Sequence, residues 1–248
     1  MKALLTSTQN RRVKQWKSLQ RKKGRMQTGK FWIEGFHLVE EAINSEWMID
    51  EIIVRADVQL PYEYARFPVT TVNDRVFNAL SQTKTPQGIG AVVHMRSSHD
   101  VAGRFVLLID RVQDPGNLGT MIRTADAAGF DAVVLSDDSV DMYNDKVIRA
   151  TQGALFHLPV VQDDLTPYLK HLKQSGFTVW AAALQNANIY SDVPRSDKIA
   201  LIVGNEASGI HPDRLEQADA IVKIPIHGKV ESLNVSVAAG ILMYYAKG

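Results

Sequence analysis

Ile199-Ala-Leu-Ile-Val-Gly-Asn-Glu-Ala-Ser-Gly209 sets five consecutive apolar residues against a polar turn held between two glycines. An unbroken apolar run, rather than an alternating one, is the pattern of a strand buried on both faces of a parallel sheet. The pattern recurs upstream in Phe105-Val-Leu-Leu-Ile-Asp110 and downstream in Ala220-Ile-Val-Lys-Ile-Pro-Ile226. Further strands are expected at Ala132–Leu135, Leu158–Val161 and Thr178–Leu184. Helical spacing falls between them, at Leu118–Ala128 (closed by Gly129), Lys146–Gln152, Leu165–Gln174, Pro212–Gln217 and Leu233–Ala246. Strands alternating with helices predict an α/β fold on a parallel sheet. Ligands of such sheets sit beyond the carboxyl ends of the strands. The turns after Asp110, Leu184, Gly204 and Ile226 are therefore where chemistry is expected.

Ahead of this part lies a smaller α/β unit. Phe31–Ile33, Glu51–Arg55, Pro68–Val72 and Gly90–His94 read as strands, and His37–Asn44 and Asp74–Ser81 as helices. The polar, breaker-rich stretch Arg96–Gly103 marks the boundary. With 248 residues, 45% of them hydrophobic, the chain can bury its cores without cross-links. It has no cysteine, which excludes disulfides, thiolate nucleophiles, iron–sulfur clusters and the common structural zinc sites. The longest apolar stretch, Val237–Ala246, falls short of the ~20 residues of a membrane span. The basic N-terminus has no apolar segment behind it that would make a signal peptide. A soluble, cytoplasmic protein is the expectation.

The net charge of +1 hides an asymmetry. Lys2, Arg11, Arg12, Lys14, Lys17, Arg21, Lys22, Lys23, Arg25 and Lys30 precede the first acid, Glu34. Ten cations without an anion point to a polyanion, because clustered Lys and Arg displace counterions from a phosphate backbone. Residues 1–26 read as a basic RNA-binding arm, with Arg11, Arg12, Lys14, Arg21, Lys22 and Lys23 as its contacts. Trp16 and Leu19 give that arm only a thin apolar face.

The strand-end turns exclude several chemistries. G-x-G-x-x-G is absent, and Gly204–Gly209 lacks the Lys-Ser/Thr of a P-loop. There is no G-x-S-x-G elbow, and the seven histidines are scattered without metal-ligand spacing, so no metal is expected. Polar groups remain at the strand ends. Asn117 reads equally well as a helix cap or a site residue, Arg123 as a surface ion pair or an RNA contact, and Glu206 as a solvated loop acid or a site residue. Ser232, taken alone, reads best as the cap of the last helix. That helix is apolar on nearly all sides and should be buried all round, either in the core or in a subunit interface.

Taken together, these segments are recognisable. Asn117-Leu-Gly119 with Arg123, Ile202–Gly209, and Ile224-Pro-Ile226 followed by Glu231–Ala238 resemble, in order and spacing, the three motifs of the SpoU (TrmH-like) branch of the SPOUT methyltransferases. Phe31–Ile43 resembles the start of the L30e-like substrate-binding domain that often precedes that catalytic domain. The resemblance implies a C-terminal parallel-sheet α/β trefoil-knot (SPOUT) domain at 98–248, a small L30e-like α/β domain at 27–97, and a homodimer. It implies S-adenosylmethionine held by Gly204, Ile224, Leu233 and Leu184. It also implies ribose 2′-O-methylation of RNA, ribosomal RNA ahead of transfer RNA. Arg123 would help activate the 2′-hydroxyl and hold an RNA phosphate, with Asn117, Glu206, Ser232 and Asn234 completing the site. A non-catalytic RNA-binding or ribosome-assembly protein on the same scaffold is the rival expectation. One departure is visible: Ala207 stands where the family's second motif commonly has glycine, which matters only if that position needs a positive φ.

Overall fold

The structure, a computed structural model, describes residues 4–96, 101 and 103–248. Lys2 and most of the expected boundary, residues 97–100 and 102, lie outside the described residues. In chain order the helices are α1 (Arg11–Ser18), α2 (Lys22–Thr28), α3 (Phe36–Asn44), α4 (Asp74–Leu80), α5 (Pro115–Ala127), α6 (Asp145–Thr151), α7 (Leu165–Gln174), α8 (Pro212–Leu215) and α9 (Val235–Lys247). The strands are β1 (Lys30–Glu34), β2 (Ile49–Arg55), β3 (Val69–Val72), β4 (Ile89–His94), β5 (Phe105–Ile109), β6 (Ala132–Leu135), β7 (Val160–Gln162), β8 (Thr178–Ala182), β9 (Asn188–Ile189), β10 (Ile199–Val203) and β11 (Ala220–Lys223). They form two units, each with its own sheet. No helix among the described residues is long and apolar enough to cross a membrane.

The first unit carries a four-stranded sheet in the order β1-β4-β2-β3. β4 pairs antiparallel with β1 and β2, and β3 lies parallel to β2. The basic segment is not a free arm here. Val13, Trp16 and Leu19 recur every three residues on one side of α1 and its end, and pack among Trp32, Val76, Phe77, Leu80 and Val92. Asn10 caps α1 by accepting from the Arg12 N–H at 2.9 Å. Gly29, at φ +64°, ends α2 in the left-handed conformation glycine favours. The apolar face that looks thin in sequence is thus part of the core, and residue 26 marks no structural break.

Tyr143–Phe156, which contains α6, also belongs to the first unit, although in sequence it reads as part of the second. Its aromatic ends explain why. The Tyr143 ring lies 4.7 Å from Phe31 and that of Phe156 lies 5.4 Å, edge-on, from Trp47.

The second unit is a seven-stranded sheet, parallel throughout, in the order β7-β6-β5-β10-β8-β11-β9. Its central strands β5 and β10 are buried at every residue, as their unbroken apolar runs require. Of the element ends that differ from the sequence reading, three have a plain local cause. β11 stops at Lys223 rather than Ile226, because Pro225 has no N–H to donate and restricts the residue before it. α5 begins at Pro115, three residues early, because Asp114 supplies the cap and proline suits the first helical turn. α9 begins at Val235, capped by Asn234 rather than Ser232. Within one chain α9 leaves Val237 (50% exposed), Ile241 (37%) and Tyr244 (56%) as a bare stripe. The opposite side, with Ala239, Leu242, Met243 and Ala246, is buried, and on its flank a Cβ at Gly240 would sit 3.4 Å from the Thr124 methyl of α5.

Candidate active site at the carboxyl ends of the strands

Strands β5, β10, β8 and β11 are neighbours in one parallel sheet, so their carboxyl ends share one edge. The turn after β5, Gly204 after β10, Leu184 after β8 and Ile224 after β11 therefore all issue from that edge. A Cβ at Gly204 would lie 2.3 Å from the Gly209 carbonyl carbon and 2.4 Å from the Ile210 nitrogen, so no side chain fits. The closeness reflects a bridge. Asn205 N–H donates to the Gly209 carbonyl and Gly209 N–H to the Asn205 carbonyl, both at 3.0 Å. The Asn205 Oδ1 also accepts from the Ala207 and Ser208 N–H groups, each at 2.9 Å. The residue of positive φ in this loop is Gly209, at +67°; Ala207 is not among the positive-φ residues. The departure from the family's motif therefore costs the loop nothing.

This loop presents Glu206 to the N-terminus of α5. The carboxylate accepts from the N–H of Asp114 (3.1 Å), the N–H of Gln113 (3.3 Å) and Asn117 Nδ2 (3.1 Å). Partial burial pushes the carboxyl up, but hydrogen bonds from Asn117 and the backbone outweigh it and hold the group below its ordinary value of 4.5. A carboxyl with a lowered folded value adds stability above its unfolded value and loses it as pH falls through the folded one. Glu206→Gln should therefore lower the melting temperature at neutral pH and reduce its fall below about pH 4.5, followed in a pH series of thermal melts.

Asp114 caps α5, its Oδ1 accepting from the Asn117 N–H at 2.7 Å. The Asn117 side chain is therefore not a cap. Its Oδ1 accepts from Asn234 Nδ2 at 2.9 Å, while Asn234 Oδ1 caps α9 through the Ser236 N–H at 2.9 Å. Asn117, Glu206 and Asn234, expected from sequence to act together, thus form one hydrogen-bonded chain across the starts of two helices. Ser232 is exposed, with no hydrogen bond to these three. Arg123 stands six residues along α5 from Asn117, about 9 Å on along the axis and on another side. It is exposed and makes no ion pair or hydrogen bond among the described residues.

A nucleotide-like cofactor held at this edge needs backbone donors and an apolar lining. Among the described residues no hydrogen bond engages the N–H of Gly204, Ile224 or Leu233. Ile224 and Leu233 are half-buried, and Leu184 is 53% exposed. These residues fit such a group.

Residues 104–244 match the SpoU rRNA Methylase family, and residues 10–91 match the MRM3-like substrate binding domain. The chain belongs to the SpoU rRNA methylase family. It is 47% identical over 98% of its length to the 23S rRNA (guanosine(2553)-2′-O)-methyltransferase RlmP of Bacillus subtilis, 99% of which is covered. Among solved structures it resembles the AdoMet-bound rRNA methyltransferase from Sinorhizobium meliloti, with a TM-score of 0.89 at 30% identity over 99% of this chain and 97% of that one. The SpoU methyltransferase AviRb from Streptomyces viridochromogenes, in complex with AdoMet, gives 0.87 at 25% identity over 96% and 97%. The α/β architecture expected from sequence, a small domain ahead of a SPOUT domain, is the one observed.

Several residues that shape this candidate site carry no sequence signal of their own. Asp110 is wholly buried at the end of β5. Arg111 follows it at φ +60°, its N–H donating to Ser136 Oγ at 2.8 Å. Asn205 Nδ2 donates to the Arg111 carbonyl at 2.8 Å. An apolar run that ends in Asp is the one hint in the sequence, and it says where the strand stops rather than what the acid holds.

Proposed function

We propose that the protein transfers the methyl group of S-adenosylmethionine to a ribose 2′-hydroxyl of 23S ribosomal RNA, at the position its 47% identical relative is named for, guanosine 2553. The observation that carries this reading is the chain of Glu206, Asn117 and Asn234 beside the glycine-bridged loop, within a match that spans both domains. Gly204, Ile224 and Leu233 hold the cofactor through backbone groups, with Leu184 against it. The cofactor supplies a methyl group made electrophilic by its sulfonium. The protein's task is to align and activate a weak nucleophile. Arg123, always protonated, is no free base. It holds an RNA phosphate and stabilises the developing alkoxide, while a phosphate oxygen or water takes the proton. Asn117 and Glu206 fix the start of the helix that carries Arg123, and Asn234 ties it to α9. The test is transfer of tritiated methyl from S-adenosylmethionine to 23S RNA, 16S RNA or transfer RNA by the purified protein. Label in 23S RNA alone is expected, and label confined to transfer RNA contradicts the substrate.

The RNA is gripped by the exposed face of α1 and α2, where Arg11, Lys14, Lys17, Arg21, Lys22 and Lys23 stand without an acid between them in sequence. Arg12 contributes less than the others, since its guanidinium is engaged by Glu51 and by the Thr70 hydroxyl at 2.9 Å. Removing residues 1–26 would also remove Val13, Trp16 and Leu19 from a core, so charge reversal is the cleaner experiment. Reversing Lys14, Lys22 and Lys23 together should weaken RNA binding and flatten the dependence of log K on log salt by roughly 0.7–0.9 for each phosphate no longer neutralised. An unchanged slope excludes this face from RNA binding.

The bare stripe of Val237, Ile241 and Tyr244 on α9 is covered by a second copy of the chain, making a cytoplasmic homodimer. Light scattering should give twice 27.6 kDa, and Ile241→Glu should give the single-chain mass.

A further inference from the structure

Asp110 is an acid the reaction does not use, yet none of its surface reaches solvent. A lone buried carboxylate would be expensive, so its partners decide what it is for. Its Oδ2 accepts from the His211 N–H at 2.6 Å. Its Oδ1 accepts from Arg111 Nε at 3.2 Å and from Arg214 Nη1 of α8. His211 and Arg214 flank the far end of the segment that begins at Gly204. The near end is tied to the same turn. Asn205 Nδ2 donates to the Arg111 carbonyl, and at the far end Arg111 Nη2 also donates to the Gly209 carbonyl at 3.2 Å. Arg111 is kept left-handed by its bond to Ser136 Oγ, which pairs with Ser139 Oγ at 2.9 Å in a buried hydroxyl couple. The turn after β5 therefore grips both ends of the Gly204–Gly209 loop, with Asp110 at the centre of the grip.

We infer that Asp110 and Arg214 are positioning residues that form a buried ionic clasp. The clasp sets the loop in the shape that binds S-adenosylmethionine and leaves RNA binding to other surfaces. This rests on the reading of that loop as the cofactor's seat. Loosening the clasp adds conformations the loop must give up on binding, so affinity for the cofactor falls by the fraction of loops correctly shaped. Once the cofactor is bound, the groups around the 2′-hydroxyl are unaltered.

The experiment compares Arg214→Met, Arg214→Lys and Asp110→Asn with the native protein in four readouts. These are S-adenosylmethionine binding by calorimetry, RNA binding by filter retention, steady-state kinetics and melting temperature. Amide exchange of residues 204–211 with and without S-adenosylmethionine is followed in the native protein. Arg214→Met is expected to raise Kd and KM for the cofactor about tenfold, with kcat at saturating cofactor and RNA affinity within about threefold. Arg214→Lys should recover part of the affinity, and Asp110→Asn, which strands two guanidinium groups, should show the larger defect. Native cofactor affinity in Arg214→Met, with residues 204–211 of the native protein protected by the cofactor, overturns the clasp and leaves the seat intact. No protection of 204–211 in the native protein overturns the seat, and the clasp's role with it. A parallel fall in cofactor affinity, RNA affinity and melting temperature in Arg214→Met marks general loosening and also overturns the inference.

Discussion

Arg123→Ala should lower methyl transfer by about 10²–10³-fold while S-adenosylmethionine binding stays native, since this is the range for removing one preorganised donor from a developing oxyanion. The expectation starts from position. Arg123 projects from α5 without a salt bridge or hydrogen bond among the described residues. Its charge is thus uncommitted, whereas that of Arg12 is engaged by Glu51 and that of Arg149 by Asp145 at 2.5 Å. It makes no hydrogen bond to the turns that carry Gly204, Ile224 and Leu233, the proposed cofactor contacts, so cofactor affinity should survive. Arg123→Lys should fail nearly as badly if the guanidinium grips a phosphate through two parallel N–H donors, because an ammonium cannot reproduce that fork. Single-turnover assays at saturating RNA and cofactor, run beside calorimetric cofactor binding, check both halves. Native turnover in Arg123→Ala removes the residue from the chemistry.

Gly204→Ala should cost the protein its cofactor. The added methyl would meet backbone atoms, the Gly209 carbonyl carbon at 2.3 Å and the Ile210 nitrogen at 2.4 Å, which cannot rotate away as a side chain can. The Asn205–Gly209 bridge must open, and with it goes the presentation of Glu206 to the N–H groups of Gln113 and Asp114. Overpacking of this kind costs about 1–3 kcal/mol of stability. The expected fall in S-adenosylmethionine affinity is at least about tenfold. Gly228→Ala is the control, since nothing lies within 4 Å of a Cβ there and its melting temperature should not move. Calorimetry and thermal melts on the two variants separate the cases. A Gly204→Ala protein that binds the cofactor normally would show that the loop does not seat it.

The second unit is largely legible in the chain because burial on both faces leaves a plain mark. Strands β5 and β10 are apolar at every position, and a five-residue run such as Phe105–Ile109, closed by a polar turn, is of strand length. Asn117, Glu206 and Asn234 are each ambiguous alone, since capping and catalysis favour the same residue types. The structure separates those uses at Asn117, whose side chain is free of the cap because Asp114 holds it. At Asn234 the oxygen caps α9 while the amide nitrogen reaches Asn117.

What stays hidden depends on contacts between distant parts of the chain. Charge draws attention away from Val13, Trp16 and Leu19, three apolar residues among cations, and only the packing shows that they fill a core. Lys146–Gln152 reads as the next helix of the alternation, and no local pattern says that Tyr143 packs on Phe31. Asp110 is one acid at the end of a strand, and its partners lie about a hundred residues away at His211 and Arg214.

Mapping 2′-O-methyl groups tests the proposed methylation of one ribose of the large ribosomal RNA most directly. Sites are compared across all ribosomal and transfer RNA from cells with the protein, without it, and with Arg123→Ala in its place. Under the proposed function, one 23S site, the guanosine equivalent to position 2553 of the relative's name, should lose its methyl group without the protein. The native gene should restore it and Arg123→Ala should not. An unchanged map across every RNA, with the protein present in the control cells and absent from the deletion, would contradict it.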